Sequence, residues 1–270
     1  MSGQYADVNG LHLYYEVHGE GRPLVAIHGG LGSGEMFAAI LPALSEHRRV
    51  ILPDLQGHAR TADIDRPLDV RLMADDIAGL IGHLGLERPD VLGYSLGAGV
   101  AFWLGVKYPE LIGRLVLTSV QLKTDALYPE IQAAGQHLNG AAAPMMEPSP
   151  IYQHYRRVAP RPEDFPRLLD KAGDAISGRF DFTDHVRELQ MPTLLVAADA
   201  DMAPPSHWAE LFTMLDGGQR DGGFMNEGRP RGGHALAILP NETHYSIVDS
   251  PLLAAVALAF LDGAPDAARG

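Results

Sequence analysis

Along this chain, short apolar runs of β type alternate with longer stretches whose apolar positions recur at helical spacing. The runs cover residues 24–27, 50–52, 91–94, 115–118, 193–197 and 236–239, and the helical patterns cover 35–44, 71–84, 96–108, 206–215 and 251–261. Within 71–84, Leu72, Ile77, Leu80, Ile81 and Leu84 alternate with Asp75 and Asp76, the stripe expected of a helix lying on a sheet. Strands alternating with helices predict an α/β fold, a mostly parallel sheet with helices on both faces. Ahead of these units, Asn9 and Gly10 precede the run 11–17. Such a pair supplies the positive φ angles of a tight turn, so the chain is predicted to open with a β-hairpin.

The alternation lapses between residues 121 and 190, where Pro144, Pro148, Pro150, Pro160, Pro162 and Pro166 punctuate short helical stretches. This predicts one core, built from residues 1–120 and 191–270, with an inserted helical lid at 121–190. In that insertion Met145, Met146, Tyr152, Tyr155, Phe165, Phe180 and Phe182 are available to wall a pocket or to anchor the insertion to its host. A second irregular stretch, 216–234, holds seven glycines. It reads as a long loop at the sheet edge opposite the strand C-termini, away from where open α/β sheets bind ligands, and so as a subunit contact or surface ornament. The apolar run 252–261 is about half of the roughly 20 residues needed to cross a bilayer and reads as a buried terminal helix.

A length of 270 residues with 46% hydrophobic and 20% charged positions is that of an ordinary globular protein and excludes a disordered or collagen-like chain. Lys and Arg number 21 against 34 Asp and Glu, a net charge of −13. That field repels phosphate backbones and anionic lipid heads, so neither nucleic acid nor membrane is an expected partner. The absence of cysteine removes any disulfide, thiolate nucleophile or cysteine-bound metal. The first ten residues lack the basic start and apolar stretch of a secretory signal, which makes a cytoplasmic location the expectation. Oligomeric state is open, a homodimer included.

The chemistry centres on Gly93-Tyr94-Ser95-Leu96-Gly97, which ends a β run and opens a helical one. A serine at such a bend sits in strained backbone with its hydroxyl aimed outward, and small residues two positions to either side let strand and helix approach. A serine hydroxyl needs a base, most often a histidine oriented by a carboxylate. Of twelve histidines, His244 lies just past the last strand, at the same sheet edge as Ser95. For the acid, both Asp199 and Asp201 follow the run 193–197. Developing negative charge on a substrate oxygen would meet the first N–H of the helix at Leu96 and the turn His28-Gly29-Gly30 after the run 24–27.

The motifs Ile27-His28-Gly29-Gly30, Pro53-Asp54-Leu55-Gln56-Gly57-His58, Gly93 to Gly97, Pro192-Thr193-Leu194-Leu195 with Asp201, and Thr243-His244-Tyr245 occur in an order that resembles the α/β-hydrolase superfamily. The resemblance runs from Leu11 to Leu261. It implies an α/β-hydrolase fold with an inserted lid, a catalytic triad of Ser95, Asp201 and His244, and an oxyanion hole at the backbone N–H groups of Gly30 and Leu96. Asp201 fits the family's spacing better than Asp199; Asp125 is a third candidate, because some relatives place the acid after the preceding strand. Where relatives usually carry a second glycine in the turn after Asp54, this chain reads Gly57-His58-Ala59. A positive φ at Ala59 would cost about 1 kcal/mol.

His58, Asp63 and Asp65 lack the spacing of a metal motif. Glycines at 93, 97 and 99 do not match the dinucleotide fingerprint. The expectation is therefore a serine hydrolase needing no cofactor and no metal, which cleaves a carboxylic ester or lactone through an acyl-enzyme. A serine at position 95 argues against epoxide hydrolases and haloalkane dehalogenases, whose alkyl-enzyme ester requires a carboxylate nucleophile. The ionic candidates of the insertion, Lys123, His154, Arg156, Arg157 and Lys171 among them, are too dispersed to name a binding site for an anionic substrate, which favours a small, neutral or partly apolar ester-like substrate. Amidase, perhydrolase and hydroxynitrile lyase chemistry use the same triad. A small-molecule receptor or sensor on this scaffold is the alternative from another class, and turnover discriminates it.

Overall fold

The computed structural model describes residues 3–221, 223–225 and 233–263. One sheet runs in the order β1-β2-β4-β3-β5-β6-β7-β8. Its strands are β1 (Gln4–Val8), β2 (Leu11–His18), β3 (Arg22–Ile27), β4 (Arg48–Pro53), β5 (Asp90–Tyr94), β6 (Leu115–Thr118), β7 (Thr193–Ala200) and β8 (Ala235–Thr243). β2 pairs antiparallel with β1 and β4, and every other pair is parallel. Among the described residues the α-helices are α1 (Leu41–Ser45), α2 (Val70–His83), α3 (Leu96–Lys107), α4 (Pro129–Gln136), α5 (Ala143–Met146), α6 (Pro150–Val158), α7 (Phe165–Ser177), α8 (Pro205–Met214) and α9 (Pro251–Leu261). The hairpin turns at Asn9 and Gly10, with φ of 48° and 82°, as a two-residue turn matching strand twist requires.

Side chains alternate across the sheet and so feed two cores. Val25, Ile27, Val91 and Leu115 meet Met73, Ile77, Leu80 and Ile81 of α2 and much of α3 on one face. On the other face Leu24, Ala26, Leu92 and Val116 meet Leu44 of α1 and Leu253, Ala257 and Leu261 of α9. Each fully buried Leu, Ile or Val contributes about 1.5–3 kcal/mol over its exposed state, so these layers fix the strand ends on which the site is built.

The single helix predicted over 35–44 is instead a 3₁₀ turn, Gly34–Phe37, followed by the short α1. Pro42 explains the break: it has no N–H to donate, so it is accommodated only in a first helical turn, and here it falls in the first turn of α1. The segment between β6 and β7 is helical, as expected. Its aromatic side chains serve as anchors. Tyr152 and Tyr155 pack on Phe165 with ring centroids 5.0 and 5.1 Å apart, and Phe182 meets Trp103 of α3 at 5.2 Å. Met145 is left exposed. In the glycine-rich stretch, residues 222 and 226–232 lie outside the described residues, while Phe224 and Met225 are exposed.

Candidate active site

β5 ends beneath Ser95, and α3 begins immediately after it. Ser95 has φ 52° and ψ −116°, a left-handed conformation that costs a non-glycine residue on the order of 1–3 kcal/mol and persists only where its surroundings enforce it. The surroundings are close-packed. A Cβ on Gly93 would overlap the carbonyl of Gly97, and one on Gly97 would overlap the carbonyl oxygens of Ile27 and His28. Ser95 also donates its N–H to the Thr118 carbonyl of β6 at 3.0 Å, which ties the bend to the neighbouring strand. The side chain is half-buried.

Two loops bring the partners expected from the sequence. His244 directly follows β8, and its Nε2 lies 3.0 Å from Ser95 Oγ. Its Nδ1 lies 2.8 Å from Asp201 Oδ1, just past β7. With Nδ1–H donating to the carboxylate, Nε2 is left as the acceptor facing the hydroxyl. Asp201 is buried, and burial acts to raise its pKa. Hydrogen bonds and charge from His244, joined by Ser119 and the Met202 N–H, outweigh that and hold the carboxyl below its ordinary value.

Asp199, the competing acid, is exposed and accepts the N–H groups of Asn241 and Glu242 at 2.9 and 3.2 Å. It clamps the end of β8 that delivers His244 rather than touching the imidazole. Asp125 pairs with Arg179 at 2.6 Å, within the helical segment. Two residues that the sequence reading passed over support the constellation. Ser119 donates to Asp201 Oδ2 at 2.5 Å, and Tyr94 donates its hydroxyl to the His244 carbonyl at 2.7 Å. The available signal was position: Ser119 is the first residue past β6, and Tyr94 the last of β5.

The turn after β3 carries Gly30, which is exposed, and faces the start of α3. Leu96 is the first residue of that helix, so its N–H has no acceptor in a preceding turn. An ideal Cβ on Gly30 would come within 3.9 Å of the Leu96 side chain, which sets the two side by side. His28 shapes this turn. Its Nδ1–H donates to the Gly29 carbonyl at 2.7 Å, and its Nε2 accepts the Leu55 N–H at 2.9 Å. Both nitrogens are engaged, and burial pushes the imidazole down to about 4, so His28 is a neutral brace. His58 hydrogen-bonds the Gln56 carbonyl at 2.8 Å, and burial, reinforced by His28, pushes it down to about 3. Ala59 has φ 43°, so the turn keeps its shape without the glycine.

Asp63 is gripped by Lys171 at 2.7 Å and Arg167 at 2.8 Å, and Asp65 is exposed. Among the described residues, no group of three or more His, Asp or Glu side chains is placed to hold a metal ion. Two further cations of the helical segment face acids of the core. Lys123 meets Glu210 at 2.7 Å and Arg157 meets Glu35 at 3.7 Å, while His154 Nε2 lies 3.0 Å from Ser33 Oγ. Among the described residues, no helix is long and apolar enough to cross a membrane.

A family model described as the alpha/beta hydrolase fold matches residues 22–141. Over 115 residues the chain is 36% identical to the soluble epoxide hydrolase of a Corynebacterium species, a match spanning 42% of this chain and 39% of that protein. It is 27% identical over 213 residues to a Rhizobium rhizogenes protein that carries the name carbamate hydrolase RutD, covering 72% of this chain and 81% of the relative. Among solved structures, the enol-lactonase from Burkholderia xenovorans LB400 shares the fold with a TM-score of 0.72 at 21% identity, over 96% of this chain and 99% of the other.

Proposed function

We propose that this chain, which has the α/β-hydrolase fold, is a serine hydrolase that cleaves a carboxylic ester or lactone through an acyl-enzyme. The observation that carries this reading is the continuous hydrogen-bonded line from Ser95 Oγ through His244 to Asp201. Ser95 Oγ attacks the carbonyl carbon as His244 Nε2 takes its proton. Asp201 holds the imidazole in the tautomer this needs and stabilises the imidazolium. The substrate oxygen, now negative, is met by the N–H groups of Gly30 and Leu96, an arrangement in which one donor is typically worth about 3 kcal/mol of barrier. The imidazolium then returns the proton to the leaving alkoxide. Water, activated by the same histidine, releases the acid.

The soluble epoxide hydrolase match does not transfer its printed activity, because opening an epoxide through an alkyl-enzyme ester requires a carboxylate where this chain has Ser95. A small or medium, neutral and partly apolar substrate is supported by the pairing of Lys123, Arg157 and Lys171 with acids of the core, which leaves their charges engaged. Residues 121–190 are its lid in this reading. A carbamate is the second candidate substrate, cleaved by the same attack and favoured by the name of the relative matched over 72% of the chain.

The test is turnover of a panel of esters, lactones, carbamates, amides and epoxides, run with mass detection of the protein. Acylation of Ser95 with turnover of esters or lactones is the expected result. Tight ligand binding with turnover far below about 1 per second would replace the enzyme with a receptor.

A further inference from the structure

Ser119 is fully buried at the end of β6, yet it is not a core residue of ordinary kind. Its backbone has φ 51°, where glycine would be unstrained and any other residue costs about 1–3 kcal/mol. Three contacts enforce this shape. Its N–H donates to the Val196 carbonyl of β7 at 2.7 Å, its carbonyl accepts Gln121 Nε2 at 2.6 Å, and its hydroxyl donates to Asp201 Oδ2 at 2.5 Å.

The two oxygens of Asp201 are thereby divided. Oδ1 faces His244 Nδ1 and accepts the Met202 N–H at 2.8 Å, while Oδ2 takes the Ser119 hydroxyl and the Ala198 N–H at 3.1 Å. Four donors from four separate positions fix the carboxylate plane, and a hydrogen bond to an ionised group is about twice as strong as a neutral one. Ala198 of β7 and Met202 just past it give backbone donors that come with the same stretch of chain. Ser119 gives the one side-chain donor besides His244.

We infer that Ser119 is a positioning residue for the proposed reaction: its hydroxyl locks the Asp201 carboxylate in the orientation that holds the His244 tautomer and keeps it ionised while the imidazole carries a proton. With no exposed surface, Ser119 cannot touch substrate. Its effect therefore falls on kcat and on pH dependence, and not on KM. This inference rests on the Ser95, His244 and Asp201 reading.

The test compares Ser119→Ala with Ser119→Gly, because glycine removes the hydroxyl while relieving the positive φ. Both variants are expected to lower kcat about tenfold with KM changed less than about twofold. The acid limb of the rate profile should move to higher pH, since losing a donor to its charged form makes Asp201 easier to protonate. The downfield proton resonance of His244 Nδ1–H should shift in both. A kcat, an acid limb and a resonance that all stay at wild-type values in Ser119→Gly would overturn the inference, as would a loss confined to KM. Should the wild type itself prove unable to turn over any substrate, the hydrolase reading fails, and the resonance still decides whether Ser119 orients the carboxylate.

Discussion

Ser95, Asp201 and His244 stand on strand ends held by apolar layers and backbone contact, whereas the helical segment 121–190 adds to its apolar anchors a set of ion pairs with acids of the core. Beneath the site, Gly93 and Gly97 admit the strand and helix to van der Waals range, and Thr118, Ser119 and Asp199 tie adjoining strand ends to one another by short hydrogen bonds. From the segment, Lys171 and Arg167 reach Asp63, Arg157 reaches Glu35 and Lys123 reaches Glu210. Salt does not screen apolar burial, whereas pairs as exposed as Arg157 with Glu35 are screened within about 8–10 Å at moderate ionic strength. One region is thus built to stay put. The other is attached by forces that solution conditions adjust, although Tyr155, Phe165, Leu168 and Leu169 also root it in the main core.

The largest effect should come from the fixed half. Ser95→Ala should reduce kcat/KM by at least about 10³-fold with circular dichroism unchanged; residual turnover near wild type would remove Ser95 from the chemistry. Gly97→Ala forces a methyl against the carbonyls of Ile27 and His28, so urea denaturation should show a loss of about 3 kcal/mol or more.

Acid should also attack the fixed half first. Burial lowers His28 to about 4, His58 to about 3 and His207 to about 4. The unfolded chain takes up these protons near 6.5, before the folded one does. Stability is therefore full above that value and falls as pH drops toward 4, by about 1.4 kcal/mol per unit for each imidazole. Urea midpoints at pH 7.5, 6 and 5 check this, and His58→Gln should flatten the slope.

The adjustable half is probed by Asp63→Asn, which strips the acid from Lys171 and Arg167. A global loss of about 2 kcal/mol is expected, with amide exchange accelerating in α6 and α7 before β5 or β7. Equal acceleration everywhere would mean that the two halves unfold as one unit. The smallest change expected is Ala59→Gly, which relieves a φ of 43° and should raise stability by at most about 1 kcal/mol.

Much of the fixed half was legible before any coordinates. The short apolar runs between helical patterns located the strands of the parallel sheet, because a strand buried on both faces must be nearly continuous in apolar residues. The Asn9-Gly10 turn was legible because few residue types tolerate its angles, and the Ser95 bend because Gly93 and Gly97 flank it between a β run and a helical one. His244 could be chosen from twelve histidines because chain order fixes which loop emerges at which sheet edge. Asp199 and Asp201 could not be separated by residue type, and the family's spacing was needed; the structure then gives Asp199 a separate task at the Asn241 and Glu242 amides. Ser119 left no trace. A lone serine after a strand has no period, and its hydroxyl gains meaning only when β7 lies alongside. The break at Pro42 was missed because the apolar spacing of 35–44 continues through it, while the backbone N–H supply does not.

Ser95 and His244 are 149 positions apart, and the Tyr94 hydroxyl reaches across 150 to hold the His244 carbonyl. During synthesis, which proceeds from the N-terminus, the sharp bend and its hydroxyl emerge long before the imidazole does. A nascent chain that has formed everything through β7 still has no proton acceptor beside Ser95. Only when β8 docks as the outermost strand does that acceptor arrive, so the proposed reaction would have to wait for β8 on the ribosome.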